Sequence, residues 1–201
     1  MATVLLATRN AGKVRELRAL TADSGIEWIG LDAYPHVPEA REDGATFAEN
    51  AARKALQYAA ATDLPTLADD SGLEVDALGG APGVDSAHYA GHPRDDDANN
   101  RKLVAALRGV APAVRTARFR CAMAFAQRGA VLLEATGALE GLILDAPRGA
   151  NGFGYDPHFL LPARGLTLAE LSSEQKNAIS HRGQALRAIL PRIRAFLAGA
   201  R

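Results

Sequence analysis

The sequence predicts a single α/β domain, and three observations support this prediction. Short apolar runs of strand length alternate along the chain with segments in which apolar residues recur at helical spacing. Apolar residues make up 48% of the 201 residues and charged residues 23%, which are ordinary values for a globular protein that buries a core. No internal repeat, low-complexity linker or compositional break divides the chain, so we expect one domain over residues 1–201.

The first predicted elements are a strand and two helices. Residues 4–7 form an apolar run long enough for a buried strand, and residues 13–20 then change to helical spacing. The pattern of Thr46 followed three positions later by Glu49 is typical of a capping box. It predicts the start of a helix that continues through the alanine-rich residues 50–61.

The middle of the chain adds three strands and one helix. A strand is predicted at residues 65–68, and we expect it to end at the two aspartates that follow. Three consecutive acidic residues precede a helix at residues 98–107, which suits the positive end of a helix dipole. Residues 118–126 and 130–136 read as strands joined by a hairpin turn.

The C-terminal part is predicted to be helical. A second capping-box pattern occupies residues 167–171. The last helix carries an apolar stripe and contains Pro191, which is expected to kink it. The stripe consists of Leu186, Ile189, Leu190, Ile193, Phe196 and Leu197.

Charge and cysteine content exclude several functional classes. The chain has 23 basic and 23 acidic residues, so it lacks the electrostatic signature of a protein that binds nucleic acid or an anionic membrane. No apolar run approaches the length needed to cross a bilayer, and the N-terminus does not resemble a signal peptide. Cys121 is the only cysteine, which fits a reducing compartment and a core position. We therefore expect a cytoplasmic protein.

The loop after the first strand is a candidate phosphate-binding segment. A turn from strand to helix presents free backbone N–H groups and a partial positive charge, and Lys13 adds a full charge. Thr8 and Asn10 add hydrogen-bonding side chains, but the segment is not a Walker A loop because Val14 replaces its Ser or Thr. A solvated surface lysine remains the alternative.

Asp69 and Asp70 are adjacent carboxylates after an apolar run, followed by Ser71. At the end of a strand, both could converge on the crevice in which open α/β sheets bind ligands. Magnesium would relieve their repulsion, because it prefers oxygen ligands and is often held by one or two carboxylates and substrate phosphates. The alternative, an Asp-rich turn that caps local N–H groups, is equally compatible with the pattern.

Two later segments combine aromatic, glycine and cationic residues. The run GANGFGYDP at residues 149–157 could bring backbone and aromatic rings close to a flat ligand, or form a tight turn around a core Phe. Lys176, His181 and Arg182 lie near the start of the last helix, where they suit an anion or a purine edge. Ordinary surface charge is the alternative for these three residues.

Taken together, five segments in order along the chain closely resemble the inosine triphosphate pyrophosphatase family, the non-canonical purine NTP pyrophosphatases. They are TRNAGKVREL, the Glu42-x-Gly44-x-Thr46-Phe47-x-x-Asn50-Ala51 segment, ADDSGLEVDALGGAPGVDSAHYAG, GFGYDPHF and KNAISHRGQAL. The resemblance implies an elongated, two-lobed single α/β domain with a central mixed β-sheet flanked by helices and an active cleft between the lobes. It also implies Mg²⁺ dependence, a homodimer, and hydrolysis of ITP, dITP or XTP to the monophosphate and pyrophosphate.

The resemblance also implies roles for individual residues. Glu42 and Asp70 would bind Mg²⁺, Asp70 would accept a proton from the attacking water, and Asp69 and Lys13 would complete the catalytic group. The triphosphate and the adjoining part of the substrate would contact Thr8, Arg9, Asn10, Ala11, Gly12, Lys13 and Ser71. The purine would contact Phe153, Gly154, Tyr155, Asp156, Lys176, His181 and Arg182.

The base contacts suggest how the family rejects adenine. A keto oxygen at the 6-position of the purine accepts hydrogen bonds from donors, whereas the amino group of adenine would leave buried donors unpaired. Each unpaired donor would cost on the order of 1–3 kcal/mol.

The sequence departs from the family pattern at two glycine positions, and two other functions remain open. Arg9 and Asn151 each replace a common Gly, so we expect activity to be retained while substrate preference is affected. One alternative is a related pyrophosphatase acting on modified pyrimidine or canonical nucleotides. The other is a nucleotide sensor without catalysis, which would have little need for the acidic cluster.

Overall fold

The computed structural model describes residues 2–199, which contain seven strands and five α-helices. The strands are β1 (Thr3–Ala7), β2 (Glu27–Gly30), β3 (Thr66–Val75), β4 (Thr116–Gln127), β5 (Ala130–Ile143), β6 (Phe159–Leu161) and β7 (Leu166–Thr167). The helices are α1 (Ala11–Thr21), α2 (Phe47–Thr62), α3 (Asp96–Ala106), α4 (Ser173–Ile179) and α5 (His181–Gly199).

All seven strands belong to one mixed sheet in the order β2-β1-β3-β4-β5-β6-β7. β1 pairs in parallel with β2 and β3, whereas β6 pairs antiparallel with β5 and β7. Helix α1 connects β1 to β2, as expected because parallel neighbours need a crossover connection. The predicted α/β fold with a central mixed sheet flanked by helices is therefore confirmed.

The chain forms two compact units. Of the described residues, the first comprises 2–70, 121–137 and 182–199, and the second comprises 71–120 and 138–181. In the first unit, successive side chains of a strand point to opposite faces of the sheet, so one strand contributes residues to two apolar clusters. Leu5 and Ala68 pack in a cluster with residues of α2, while Leu6 and Leu67 pack in another with residues of α5.

The second unit has its own apolar core. Leu103 and Leu107 pack in this core with Leu73, and the rings of Phe119 and Phe159 lie 4.7 Å apart in it. All five of these side chains are buried.

The structure corrects the predicted end of the strand that precedes Asp69 and Asp70. The strand expected to end at Ala68 continues through both aspartates to Val75. Asp69 and Asp70 therefore lie inside β3, where successive side chains point to opposite faces of the sheet. They do not converge at a strand terminus.

Other elements differ from the predictions in length. The predicted capping box at Thr167 and Glu170 is present, but the helix that it begins is only a short 3₁₀ turn, Leu168–Glu170. Arg128 and Gly129 both adopt positive φ in the hairpin turn between β4 and β5, and both strands extend further than predicted. Helix α5 continues past Pro191 to Gly199, and in residues 2–199 no helix could span a membrane.

Candidate active site

The loop between β1 and α1 is held by its own polar side chains. Thr8 Oγ1 accepts a hydrogen bond from the Asn10 N–H (3.2 Å), and Asn10 Oδ1 caps α1 by accepting from Gly12 N–H (2.9 Å) and Lys13 N–H (3.2 Å). Arg9 is exposed, and its guanidinium donates to the Val37 carbonyl at 2.7 Å. The loop thus presents the positive end of a helix with Lys13 in its first turn.

Asp69 lies at the centre of a buried charge network. Its carboxylate forms an ion pair with Lys13 Nζ at 2.6 Å and accepts from Arg182 Nε at 3.1 Å and from Cys121 Sγ at 2.9 Å. Burial alone would raise the pKa of Asp69, but the charges of Arg182 and Lys13 outweigh it and hold that pKa well below its usual range. Arg182 also forms an ion pair with Glu16. These cations therefore favour the ionised form of Asp69.

Asp70, on the opposite face of β3, belongs to a second group. Lys54 Nζ lies 2.9 Å from Asp70 Oδ1 and 3.0 Å from Glu42 Oε2, so one ammonium bridges both carboxylates. Burial raises the pKa of Asp70 despite the opposing charge of Lys54. For Glu42, burial acts in the same direction, but Lys54 and Lys13 lower its pKa overall.

Helix α2 positions Glu42 from both sides. The N–H of Ala40 donates to Tyr58 Oη at 3.1 Å, and the N–H of Gly44 donates to Asn50 Oδ1 at 2.7 Å. A Cβ at position 44 would lie 2.6 Å from that same oxygen, so the close approach requires glycine. Because Asn50 and Tyr58 lie one helical turn either side of Lys54, this arrangement directs Glu42 toward the ammonium.

These carboxylates fit a divalent metal ion. Asp70 Oδ2 is buried, and within residues 2–199 no hydrogen-bonding partner reaches it. The described part of the chain contains no cluster of three or more His, Cys, Asp or Glu side chains suited to a metal. A pair of carboxylates completed by water and phosphate oxygens is nevertheless a usual environment for Mg²⁺. Glu42 and Asp70 could hold such an ion.

In the second unit, the loop around Phe153 is fixed by Asp156. The Phe153 N–H donates to Asp156 Oδ2 at 2.9 Å, and Lys176 Nζ pairs with the same carboxylate oxygen. The Lys176 ammonium also lies 4.7 Å from the centroid of the Phe153 ring. Gly152 has a φ of +77°, and a Cβ there would collide with Asp156. The segment thus holds a partly exposed ring beside a buried cation.

Helix α3 supports the same loop. Gly154 N–H donates to Asp96 Oδ2 at 2.9 Å, and its carbonyl accepts from Asn100 Nδ2 at 2.9 Å. Arg94 pairs with Asp96 at 2.7 Å and lies 6.0 Å from the centroid of the Phe153 ring. Tyr155 is buried and its hydroxyl donates to the Ser86 carbonyl.

His181 and Ser71 are also part of the second unit. The His181 ring is buried and stacks on Phe119 with centroids 4.9 Å apart and planes 10° apart. Ser71 lies within β3 and is partly buried.

The structure therefore groups many of the residues predicted from the sequence. The first unit brings Lys13 to Asp69 and Glu42 near Asp70, and the second brings Lys176 to Phe153 and Asp156. Arg182, which the family resemblance assigned to the base, is buried against Asp69 and Glu16 in the first unit.

Four neighbours of these residues were missed by the sequence analysis: Glu16, Lys54, Arg94 and Asp96. Lys54 could have been found. It follows Asn50 by four positions and precedes Tyr58 by four, so this charged residue lies on the buried stripe of a helix. A charge at such a position needs a partner.

Comparison with known proteins shows the family to which the chain belongs. Residues 4–192 match the Ham1 family. A dITP/XTP pyrophosphatase of Streptomyces coelicolor is 50% identical over 199 residues, covering 98% of this chain and 100% of the relative. One of Methylococcus capsulatus is 52% identical over 200 residues and covers 98% of each chain.

Solved structures give the same result. A HAM1 protein from Coxiella burnetii superimposes with a TM-score of 0.87 at 42% identity, covering 97% of this chain and all of the other. The Staphylococcus aureus Ham1 protein gives a TM-score of 0.83 at 38% identity, covering 99% of this chain and all of the other. The family predicted from the sequence motifs is thus confirmed, and the chain belongs to the Ham1 family.

Proposed function

We propose that this protein hydrolyses the non-canonical purine nucleotides ITP, dITP and XTP between the α and β phosphates, releasing the monophosphate and pyrophosphate. The observation that carries the proposal is the pair of carboxylates, Glu42 and Asp70, gathered around one buried position next to the Lys13–Asp69 pair. Relatives at about 50% identity that bear the name dITP/XTP pyrophosphatase support it. The protein is accordingly a hydrolase of nucleoside triphosphates.

The phosphate-handling residues lie in the first unit. The N-terminus of α1 at Ala11, where Asn10 caps the N–H groups of Gly12 and Lys13, can receive an anionic phosphate through the positive end of the helix dipole and the charge of Lys13. Thr8 and Arg9 shape the loop before it. Glu42 and Asp70 would hold Mg²⁺, which when bound neutralises phosphate charge and orients the reacting groups.

Asp70 is suited to act as the base. Because burial raises its pKa, it binds a proton from water more readily than an exposed aspartate does. Asp69, by contrast, is ionised through its ion pairs with Lys13 and Arg182, and we assign it the task of positioning Lys13. The assignment separates proton transfer from positioning.

The second unit supplies the groups that would recognise the base. Phe153 offers an aromatic surface for stacking, and Gly154, Tyr155 and Asp156 fix the conformation of its loop. Lys176 and His181 are candidate donors to the keto oxygen at the 6-position, and Ser71 is a candidate for a contact with the substrate. Arg182 would act through Asp69 and Glu16.

A nucleotide panel tests the activity. Wild type is incubated with Mg²⁺ and ITP, XTP, dITP, GTP, ATP or dUTP, and pyrophosphate and orthophosphate are measured separately. Release of pyrophosphate from the first three alone is the expected result. Orthophosphate release would indicate cleavage of a different bond, and no release would indicate a nucleotide-binding protein without catalysis.

Asp70→Asn tests the assigned base. We expect the variant to fold and to lose at least about 100-fold in turnover of ITP, because a positioned general base contributes roughly 10²–10⁴-fold. Asp23→Asn is the matched control, since the Asp23 side chain is exposed in the same unit. Full activity of Asp70→Asn would remove this residue from the mechanism.

The remaining expectations follow from the family. We propose that the protein removes non-canonical nucleotides from the nucleotide pool before they enter DNA or RNA, and that it acts as a cytoplasmic homodimer. Measuring its mass in solution by light scattering tests the dimer directly.

A further inference from the structure

We propose that Lys54 is a built-in counter-cation of the carboxylates Glu42 and Asp70, which a divalent metal ion must displace when it binds. The inference rests on the proposed function of these carboxylates as metal ligands. It assigns to Lys54 a role that the sequence motifs did not give it, namely that it weakens the binding of a metal ion on its own and so couples metal binding to the nucleotide.

The distances around Lys54 show why its ammonium and a metal ion would compete for the same carboxylates. A single Nζ lies within 3.0 Å of both carboxylates, and the side chains of Lys54 and Asp70 are each 7% exposed. An ammonium in this position already supplies half of the positive charge that a divalent cation would bring to the two carboxylates. Two cations cannot occupy the same space between these oxygens, so the ammonium must move when a metal ion binds there.

The structure also shows why the ammonium does not leave easily. Lys54 is on the buried stripe of α2, between Asn50 and Tyr58, whose side chains anchor the two ends of the loop that carries Glu42. The ammonium is therefore nearly desolvated, and moving it away from both carboxylates without another partner would be costly.

A triphosphate supplies the missing partner. Its anionic oxygens can accept the displaced ammonium of Lys54 while the metal ion takes over the carboxylates. Metal and triphosphate then favour each other's binding, and this coupling is reciprocal by thermodynamic linkage. A metal ion alone obtains no such compensation.

Binding of Mn²⁺, measured by electron paramagnetic resonance in the absence of nucleotide, tests the competition. We expect Lys54→Met to bind Mn²⁺ at least tenfold more tightly than wild type. Lys102→Met is the matched control, because Lys102 is exposed in the second unit, and it should bind as wild type does. Equal or weaker binding by Lys54→Met would overturn the proposal.

The second half of the proposal is tested by repeating both titrations with a saturating α,β-methylene analogue of ITP, which cannot be cleaved at that bond. The advantage of Lys54→Met over wild type should shrink at least tenfold, because wild-type Lys54 then has a phosphate partner. An unchanged advantage would contradict the coupling.

Thermal unfolding keeps the test valid if Lys54→Met is unstable. Removing the ammonium leaves the carboxylate of Asp70 without its cation, and Mn²⁺ should then raise the melting temperature of the variant more than that of wild type. A merely structural lysine would give a loss of stability that Mn²⁺ does not repair. Lys54→Gln, which keeps a polar side chain, provides a second variant for both measurements.

The outcomes distinguish this inference from the proposed function. If wild type released no pyrophosphate from any nucleotide while Lys54→Met still bound Mn²⁺ more tightly, the activity would be refuted and the competition retained. If wild type were active and Lys54→Met bound Mn²⁺ no better, only the competition would be refuted.

Discussion

Replacing Arg182 by methionine removes the central cation from a buried charge network, and we expect a large loss of stability. The Arg182 side chain is 1% exposed, and it donates to Asp69, which is fully buried, and to Glu16. Breaking a buried ion pair by removing one partner costs about 3–5 kcal/mol, because the remaining charges lose their compensation. Lys13 still pairs with Asp69 in the variant, whereas Glu16 loses its ion pair with Arg182.

The loss is measurable by urea denaturation followed through the fluorescence of Trp28, the only tryptophan of the chain. For a protein of this size, each kcal/mol shifts the melting temperature by roughly 2–4 °C, so 3–5 kcal/mol corresponds to about 6–20 °C. Arg192→Met is the matched control, because Arg192 lies exposed on the same helix, and its loss should stay within about 0.5 kcal/mol.

A second substitution separates the loss of charge compensation from the loss of packing. In wild type, Glu16→Gln should destabilise, since it removes an ion-pair partner of Arg182. In the Arg182→Met background the same change should cost clearly less, because the ion pair that it would break is already absent. If Arg182→Met cost no more than Arg192→Met, or if Glu16→Gln destabilised equally in both backgrounds, this reasoning would be refuted.

Two further predictions concern the thiol and a close contact. Burial and the neighbouring Asp69 raise the pKa of Cys121 well above its usual value, so folded protein at pH 8 should not react with Ellman's reagent, while denatured protein should show one thiol. Rapid reaction of the folded protein would contradict this. Gly141→Ala should destabilise by about 1–3 kcal/mol in urea, because its Cβ would lie 2.5 Å from the Leu160 carbonyl oxygen. Gly199→Ala is the control, because within residues 2–199 its Cβ would meet no atom outside the backbone of its own helix. Equal unfolding midpoints for the two variants would exclude the contact at Gly141.

The sequence predicted elements best where the signal is local. The capping pattern at Thr46 and Glu49 correctly located the start of α2, and the acidic run at residues 95–97 placed the start of α3 within two residues. The short strands β2, β6 and β7 were missed, because they have four, three and two residues and their pairing partners lie elsewhere in the chain. Periodicity over so few residues carries little information.

Side-chain partners were harder to predict than elements. The bridge from Lys54 to Asp70 spans 16 positions, and the bond from Arg182 to Asp69 spans 113. No pattern within a motif indicates contacts between residues that are so far apart in the sequence. The burial that makes these contacts necessary could still be inferred for Lys54 from the apolar stripe of its helix, and the same argument applies to any charge at a core-facing position.

Asp69 and Asp70 are adjacent in the sequence, but their positions in a strand give their carboxylates different partners and pKa shifts of opposite sign. From the sequence pattern, convergence of the two carboxylates on a metal ion and an Asp-rich capping turn were equally compatible interpretations. In β3 they point to opposite faces instead, and different cations compensate each one. The charges of Arg182 and Lys13 lower the pKa of Asp69, whereas burial raises the pKa of Asp70. Two buried cations hold Asp69 ionised, whereas burial outweighs the charge of Lys54 at Asp70. The two neighbours therefore have the different environments that their proposed tasks, positioning Lys13 and accepting a proton, require.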